Sequence, residues 1–469
     1  MNKFHTFTLI GLLAGCTVGP DYKMPDISLP DGWFSPHATK LATDKKALIE
    51  QTWWHNFNDP ILDQLIEKAA GSNFDLKIAE ARINEARAAR ATAENDFLPT
   101  VNAVASDERE ANQLAFGQPF PGLQKPFSVY EAGFDASWEP DIFGGKRRAL
   151  ESSSAELAAS ESSRDGIRVS LLAEVARTYV DIRQYQQQLK LANETIDAEQ
   201  HTVGIVGERY HAGKTSEFDL TQAKAQLSQE QTQLPYYENL LAQAEFSMDV
   251  LLEQQPGFTH KLVEERKPVP VSDKEMVLAA PADVIANRPD IRVAERQLAS
   301  ATAEQGVAVA QFFPDISLSG FVGVLNTESS HLLEASSKSW DVGGNILSPI
   351  LNYGRLSANL HAADARQQQA LASYQKSIIA ALSDVAKSVT AYSKQEEYRE
   401  ALNKTVIDNR ETTAIARMRY KEGVSSFIDV LDAERTLYAS ESKLAEANAQ
   451  ASQNLIAVYK SLGGGWKKS

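Results

Sequence analysis

Apolar residues recur along this chain at two different periods, and the period switches at defined places. Val175, Ile182, Leu189, Ile196, Val203 and Tyr210 stand seven residues apart. Beyond a short break Leu220, Leu227, Leu234, Leu241 and Met248 keep that spacing, and Val430, Leu437, Leu444, Ala451 and Val458 repeat it far downstream. A strict seven-residue repeat predicts helices wound in a left-handed supercoil. No proline lies between Pro140 and Pro235 or after Pro349, so nothing in the first run or the last breaks a helix. A helix from about 148 to 210 has a length of about 90 Å at about 1.5 Å per residue. Pro235 is expected to bend or tighten the returning helix. The flanking positions are Ala, Gln, Ser, Glu and Lys. So narrow a seam suits helices packed side by side over a water-filled space, although a two-stranded coiled coil also has polar flanks.

Elsewhere the period drops to two. In FSVYEAGFDASW, Phe127 to Trp138, one face carries Ser128, Tyr130, Ala132, Phe134, Ala136 and Trp138, and the other turns polar through Glu131, Asp135 and Ser137. Ile316, Leu318 and Val322 alternate likewise, as do Trp340, Val342 and Ile346. Period two predicts strands, here near 99–112, 126–139, 313–326 and 338–350. An apolar face with Tyr130, Phe134 and Trp138 toward lipid fits a transmembrane barrel strand, and a hairpin on a globular surface is the plainer reading of any single pair. Four strands cannot close a barrel, and lipid forbids an open sheet edge. Two chains give eight strands, with a lumen filled by side chains, so a homotrimer of twelve strands is the smallest assembly with a passage.

The chain also says most things twice. RYHAGKTSEFDLTQAKAQL begins at Arg209 and RYKEGVSSFIDVLDAERTL at Arg419; EPDIFGGKRR at Glu139 answers SPILNYGRLS at Ser348. Helical runs near 61–96 and 282–311 end at Pro99 and Pro314. Order is preserved, so the chain is a tandem duplication of one whole structural unit: helix, two strands, then a hairpin of two long helices. The fold class is mainly α with a small β part. The segments are 1–15, 16–60, a first repeat over 61–254, a linker over 255–281 and a second repeat over 282–469. In the paired turns Gly213 and Gly423 stand where a helix stops. Ser216 with Asp219, and Ser426 with Asp429, have capping-box spacing, so helix initiation alone accounts for both acids. Asp432 lies past the cap and needs another reason.

Net charge is −15, which argues against nucleic acid as a partner, since polyanions attract basic surfaces. The one cysteine, Cys16, follows Lys3, the apolar run Phe7 to Leu13 and the tail Leu13-Ala14-Gly15-Cys16. That reads as a signal peptide over 1–15 with a lipobox, giving a lipidated Cys16. Thr17 rather than Asp follows, so the expected address is the outer membrane. No later stretch is apolar enough for a transmembrane helix. Enzyme readings fail. The eight histidines have no paired ligand spacing, the Gly144 to Lys146 run lacks a P-loop's spacing, and no metal or cofactor site is expected.

Several stretches resemble the TolC-like outer-membrane factors, in particular the lipoprotein branch that serves multidrug efflux. They are CTVGPDYKMP from Cys16, WWHNFNDPILDQLI from Trp53, EPDIFGGKRR, RPDIRVAERQL from Arg288, FFPDISLSG from Phe312 and the second RY turn. The resemblance covers almost the whole chain after the signal. It implies a trimer with a twelve-stranded barrel in the outer membrane and a long antiparallel coiled-coil α-barrel crossing the periplasm. It also implies an equatorial belt from the N-terminal stretch, 255–281 and the C-terminal end. The partners it implies are a periplasmic adaptor and an inner-membrane pump, with outer-membrane lipid around the barrel and no chemistry of the channel's own. Asp219 and Tyr420 resemble the pair that holds the periplasmic gate shut, and Asp429 and Asp432 resemble acids that ring the tunnel. Some members have an arginine where this chain has Ser425, which leaves a weaker neutral link. A protein-secretion channel and a non-conducting lipid-anchored scaffold are the alternatives.

Overall fold

The computed structural model describes residues 17–33, 42–43, 51–110, 126–272 and 277–466; the signal segment and Cys16 lie outside them. A two-residue strand β1 (Ala42–Thr43) comes first. Helices α1 (Pro60–Ser72) and α2 (Phe74–Asn95) precede strands β2 (Thr100–Glu110) and β3 (Phe127–Trp138). Then come α3 (Gly145–His211), of 67 residues, and the returning α4 (Glu217–Gln231) and α5 (Gln233–Leu251). A short α6 (Phe258–Leu262) and β4 (Val277–Leu278), parallel to β1, lie between the halves. The second half repeats the plan with α7 (Pro281–Asn287), α8 (Pro289–Ala310), β5 (Asp315–Asn326), β6 (Lys338–Leu347), α9 (Tyr353–Lys421) and α10 (Phe427–Ser461).

The expected strands are all present, each starting or ending within three residues of its predicted limits where described. The two expected leading helices are each broken once. Asn73 is extended, and its side-chain oxygen accepts from the amides of Asp75 and Leu76 at 2.9 and 3.3 Å, so it ends α1 and caps α2. Arg288 is extended because Pro289 follows it, and Pro289 then sits at the start of α8. Pro235 has the expected effect. The return path of the first hairpin is interrupted at Thr232, whereas α10, which has no proline, runs unbroken for 35 residues. Proline at 235 cannot donate to the carbonyl of residue 231, and its ring crowds that turn.

The described residues fall into two compact units. One takes residues up to Pro25, Arg82–Ser160 and Ala294–Tyr374; the other takes Asp26–Ala81, Glu161–Val293 and Gln375–Ser469. In the first, the strands form one antiparallel sheet in the order β2-β3-β5-β6. The segment after residue 16 is fastened to this unit by buried Arg148, whose Nε donates to the Val18 carbonyl at 3.1 Å and whose Nη2 reaches Asp21 at 2.7 Å. Tyr22 donates to Glu295 at 2.5 Å. Gly19, at φ +84°, meets Gly306 so closely that a Cβ on it would lie 2.5 Å from the Gly306 Cα, so a side chain cannot be accommodated at that crossing.

The second unit holds the main core. Trp53, Trp54 and Phe57 pack with Leu62, Leu172, Ile182, Met248, Leu252, Leu455 and Tyr459, and the Trp53 ring stacks on Tyr459 at 5.3 Å between centroids. A buried polar chain stitches it. Asp59 caps α1 and accepts from the Tyr179 hydroxyl at 2.6 Å; Arg183 Nε donates to that hydroxyl at 2.9 Å, and its Nη1 to the Glu265 carbonyl at 2.7 Å. Fully buried Arg183 thus ties α3 to the Glu265 segment, while its Nη2 has no hydrogen-bond partner. The heptad residues Val175, Ile182, Leu189, Ile196, Val430, Leu437, Ala451 and Val458 are all buried, so the seven-residue seam is the packed face.

Candidate functional site

Two features stand out: the sheet and the paired turns. Across the sheet the register aligns Ala103, Phe134, Val322 and Trp340 in one row, and Val101, Ala136, Gly320 and Val342 in the next. Phe134, Val322, Trp340 and Val342 are 57%, 60%, 75% and 79% exposed. Rows of the opposite face read Asn102, Asp135, Phe321 and Asp341, then Thr100, Ser137, Ser319 and Gly343. One face is thus apolar and bare through four strands, and the other is mostly polar. A bare apolar face of that width is unfavourable in water and favourable in hydrocarbon. Tyr130, Phe134 and Trp138 share the apolar face, and Trp138 donates its ring N–H to the Phe97 carbonyl at 2.8 Å, which satisfies its polar end. Among the described residues β2 and β6 each pair on one side only.

The turns belong to the second unit. Gly213 and Gly423 have φ of +71° and +78°. The amides of Gly213 and Lys214 donate to the carbonyls of Tyr210 and Arg209 at 2.9 and 2.8 Å; those of Gly423 and Val424 donate to Tyr420 and Arg419 at 3.0 and 2.9 Å. Both helices therefore end in the same left-handed cap. Each next helix starts with the expected capping box, Ser216 with Asp219 and Ser426 with Asp429.

The copies differ at one hydroxyl. Thr215 donates to Asp219 at 2.5 Å. Together with the Ser216 contacts, that bond holds the Asp219 carboxyl below its usual range, with the Thr215 bond the largest cause. Ser425 occupies the matching place, yet its hydroxyl is buried and has no hydrogen-bond partner. Asp429 and Asp432 are exposed on α10. Tyr420 is buried against Val206, Ala223, Phe427, Val430 and Leu431, and its hydroxyl is also without a partner. Within one chain no hydrogen bond joins Asp219 to Tyr420. The turns are instead joined by Arg209. Its guanidinium lies 4.5 Å from the centre of the Tyr420 ring and donates to the Tyr420 carbonyl at 3.0 Å. Arg209 was visible only as the first letter of the repeated RY, and no local pattern distinguishes it from Arg419. No group of three or more His, Cys, Asp or Glu arranged for a metal ion occurs among the described residues.

A sheet with one bare apolar face, in a chain with two long helical hairpins whose turns match, fits an outer-membrane channel-forming protein. The comparisons with known proteins agree. A family profile described as outer membrane efflux protein matches residues 65–252 and 280–464. The solvent efflux pump outer membrane protein SrpC of Pseudomonas putida is 31% identical, with 100% of this chain and 99% of that protein covered. The probable outer membrane lipoprotein SilC of Salmonella typhimurium is 30% identical, with 99% of each covered. The solved structure of the outer-membrane channel OprN is 33% identical and superposes with a TM-score of 0.90 over 96% of this chain and 100% of that one. The chain belongs to the outer membrane efflux protein family. It is an outer-membrane efflux channel, and the family is one of channels rather than enzymes.

Proposed function

We propose that three copies of this chain close a twelve-stranded barrel in the outer membrane and conduct small toxic compounds outward as the exit duct of a tripartite pump. Its partners are then a periplasmic adaptor and an inner-membrane pump that supplies the energy, since the duct has no chemistry of its own. The observation that carries the reading is the apolar face running in register through Phe134, Val322 and Trp340, on a sheet whose edge strands β2 and β6 each lack a second neighbour among the described residues. Lipid tolerates such a face only when the edges are closed, and the neighbouring copies supply that closure. Lipidation at Cys16 adds an anchor, and residues 255–281 with both chain ends form the equatorial belt.

The helical tip is the gate. Asp219, Tyr420 and Ser425 set how firmly it shuts, and Asp429 and Asp432, in three copies, make an acidic constriction that favours cations. The test is cross-linking of the purified protein together with conductance in planar bilayers. A cross-linked trimer that conducts, with higher conductance for Asp219→Ala combined with Tyr420→Phe, is expected. A trimer that stays silent even with both changes overturns the reading.

A further inference from the structure

Above the turns, four helices bring their charged side chains to one buried place. Glu199 of α3 and Glu434 of α10 are both 0% exposed. From α9, Arg417 Nε donates to one Glu434 oxygen at 2.7 Å, and its Nη2 to the Tyr438 hydroxyl at 3.0 Å. The other Glu434 oxygen and both oxygens of Glu199 have no hydrogen-bond partner. On α4, Glu230 also faces this place. Its own neighbours are Gln226, which donates to it at 2.7 Å, and Arg435, which donates to Gln226 at 2.7 Å. Arg417, the cation whose charge acts on Glu199, is already engaged by Glu434. A second buried carboxylate without a cation is costly, whereas two carboxyls sharing one proton satisfy each other.

We propose that Glu199 and Glu434 share a proton and so form an acid-strengthened latch between the α3–α4 hairpin and the α9–α10 hairpin. The latch rests on the tip being the gate of a channel. Burial, then the neighbouring Glu434 and Glu230, push the Glu199 carboxyl up to about 8 against the pull of Arg417. The sign follows from linkage. When the hairpins separate, Glu199 meets water and returns toward its ordinary value of 4.5. The packed tip therefore binds more protons than the parted tip, and packing weakens as pH rises from near 4.5 to near 8.

The test is planar-bilayer recording of the full-length protein from about pH 5 to 9, with amide hydrogen exchange in α3 and α10, corrected for intrinsic rates, on the same samples. The wild type is expected to open more as pH rises, by up to about tenfold per pH unit in the steepest part. Glu199→Gln, neutral and of the same shape, should be closed and flat across the range. Glu434→Gln removes the like charge and frees Arg417 for Glu199, so its response should move to lower pH. An unchanged pH response in Glu199→Gln, or an unmoved midpoint in Glu434→Gln, overturns the latch. A protein that conducts at no pH counts against the channel reading, and the exchange data then decide the latch alone.

Discussion

The guanidinium of Arg209 lies over the Tyr420 ring, 4.5 Å from its centre, while donating to the same residue's carbonyl at 3.0 Å. The first copy of the RY motif contributes its arginine to the join between the turns, and the second contributes its tyrosine. Arg209→Ala removes both contacts, a loss of about 1–2 kcal/mol, or roughly a fivefold to thirtyfold rise in the open-to-closed ratio. Single-channel recording should register more frequent opening than in Tyr420→Phe, which keeps the ring. Equal behaviour of the two variants would mean that Arg209 is a bystander.

Thr215 and Ser425 occupy matching places with opposite hydrogen-bond outcomes. Thr215→Ala should lower thermal stability by about 1 kcal/mol equivalent, while Ser425→Ala, which removes an orphan hydroxyl, should be neutral or stabilising by a similar amount. Asp219 adds a pH signature. Its carboxyl is held low, so its contribution is present above its ordinary value of 3.8 and lost as pH falls through the lowered one. Melting curves of Thr215→Ala should lose part of that acid dependence, and identical curves for both variants would refute the distinction.

Asp432 lies one turn past the capping box, exposed and outside the cap geometry. Asp432→Asn should reduce cation selectivity, measured as a reversal potential in a salt gradient, with little change in melting temperature. Asp429→Asn should do both, because Asp429 accepts from the Ser426 amide at 3.1 Å. Selectivity that survives the loss of both acids would exclude them from the constriction.

Val342 and Asn345 stand three residues apart on opposite faces of β6. Val342→Arg places a charge in lipid and should cost about 2–4 kcal/mol near the bilayer centre, seen as a loss of folded outer-membrane trimer. Asn345→Arg faces water and should assemble normally, with altered conductance. The reverse ranking would turn the sheet inside out.

Much of this protein could be read before it was folded. Period seven fixed the hairpins because a helix must bury a stripe, and period two fixed the strands and their two faces because side chains alternate about a strand. The repeated Gly, Ser and Asp specified the turns, since left-handed caps and capping boxes are local devices that need only their own few residues. Other features depended on residues far apart. Asn73 breaking a helix was a local competition that the periodicity did not register. Arg209 meeting Tyr420, Asp59 accepting from Tyr179, and Glu199 meeting Glu434 each join positions more than 100 residues apart. Sequence patterns record which face of an element avoids water; they do not record which other element will cover it. A polar residue beside a seam looks solvated until a third or fourth helix closes over it. Tertiary packing alone made Arg209 a join and Glu199 a buried acid without a cation of its own.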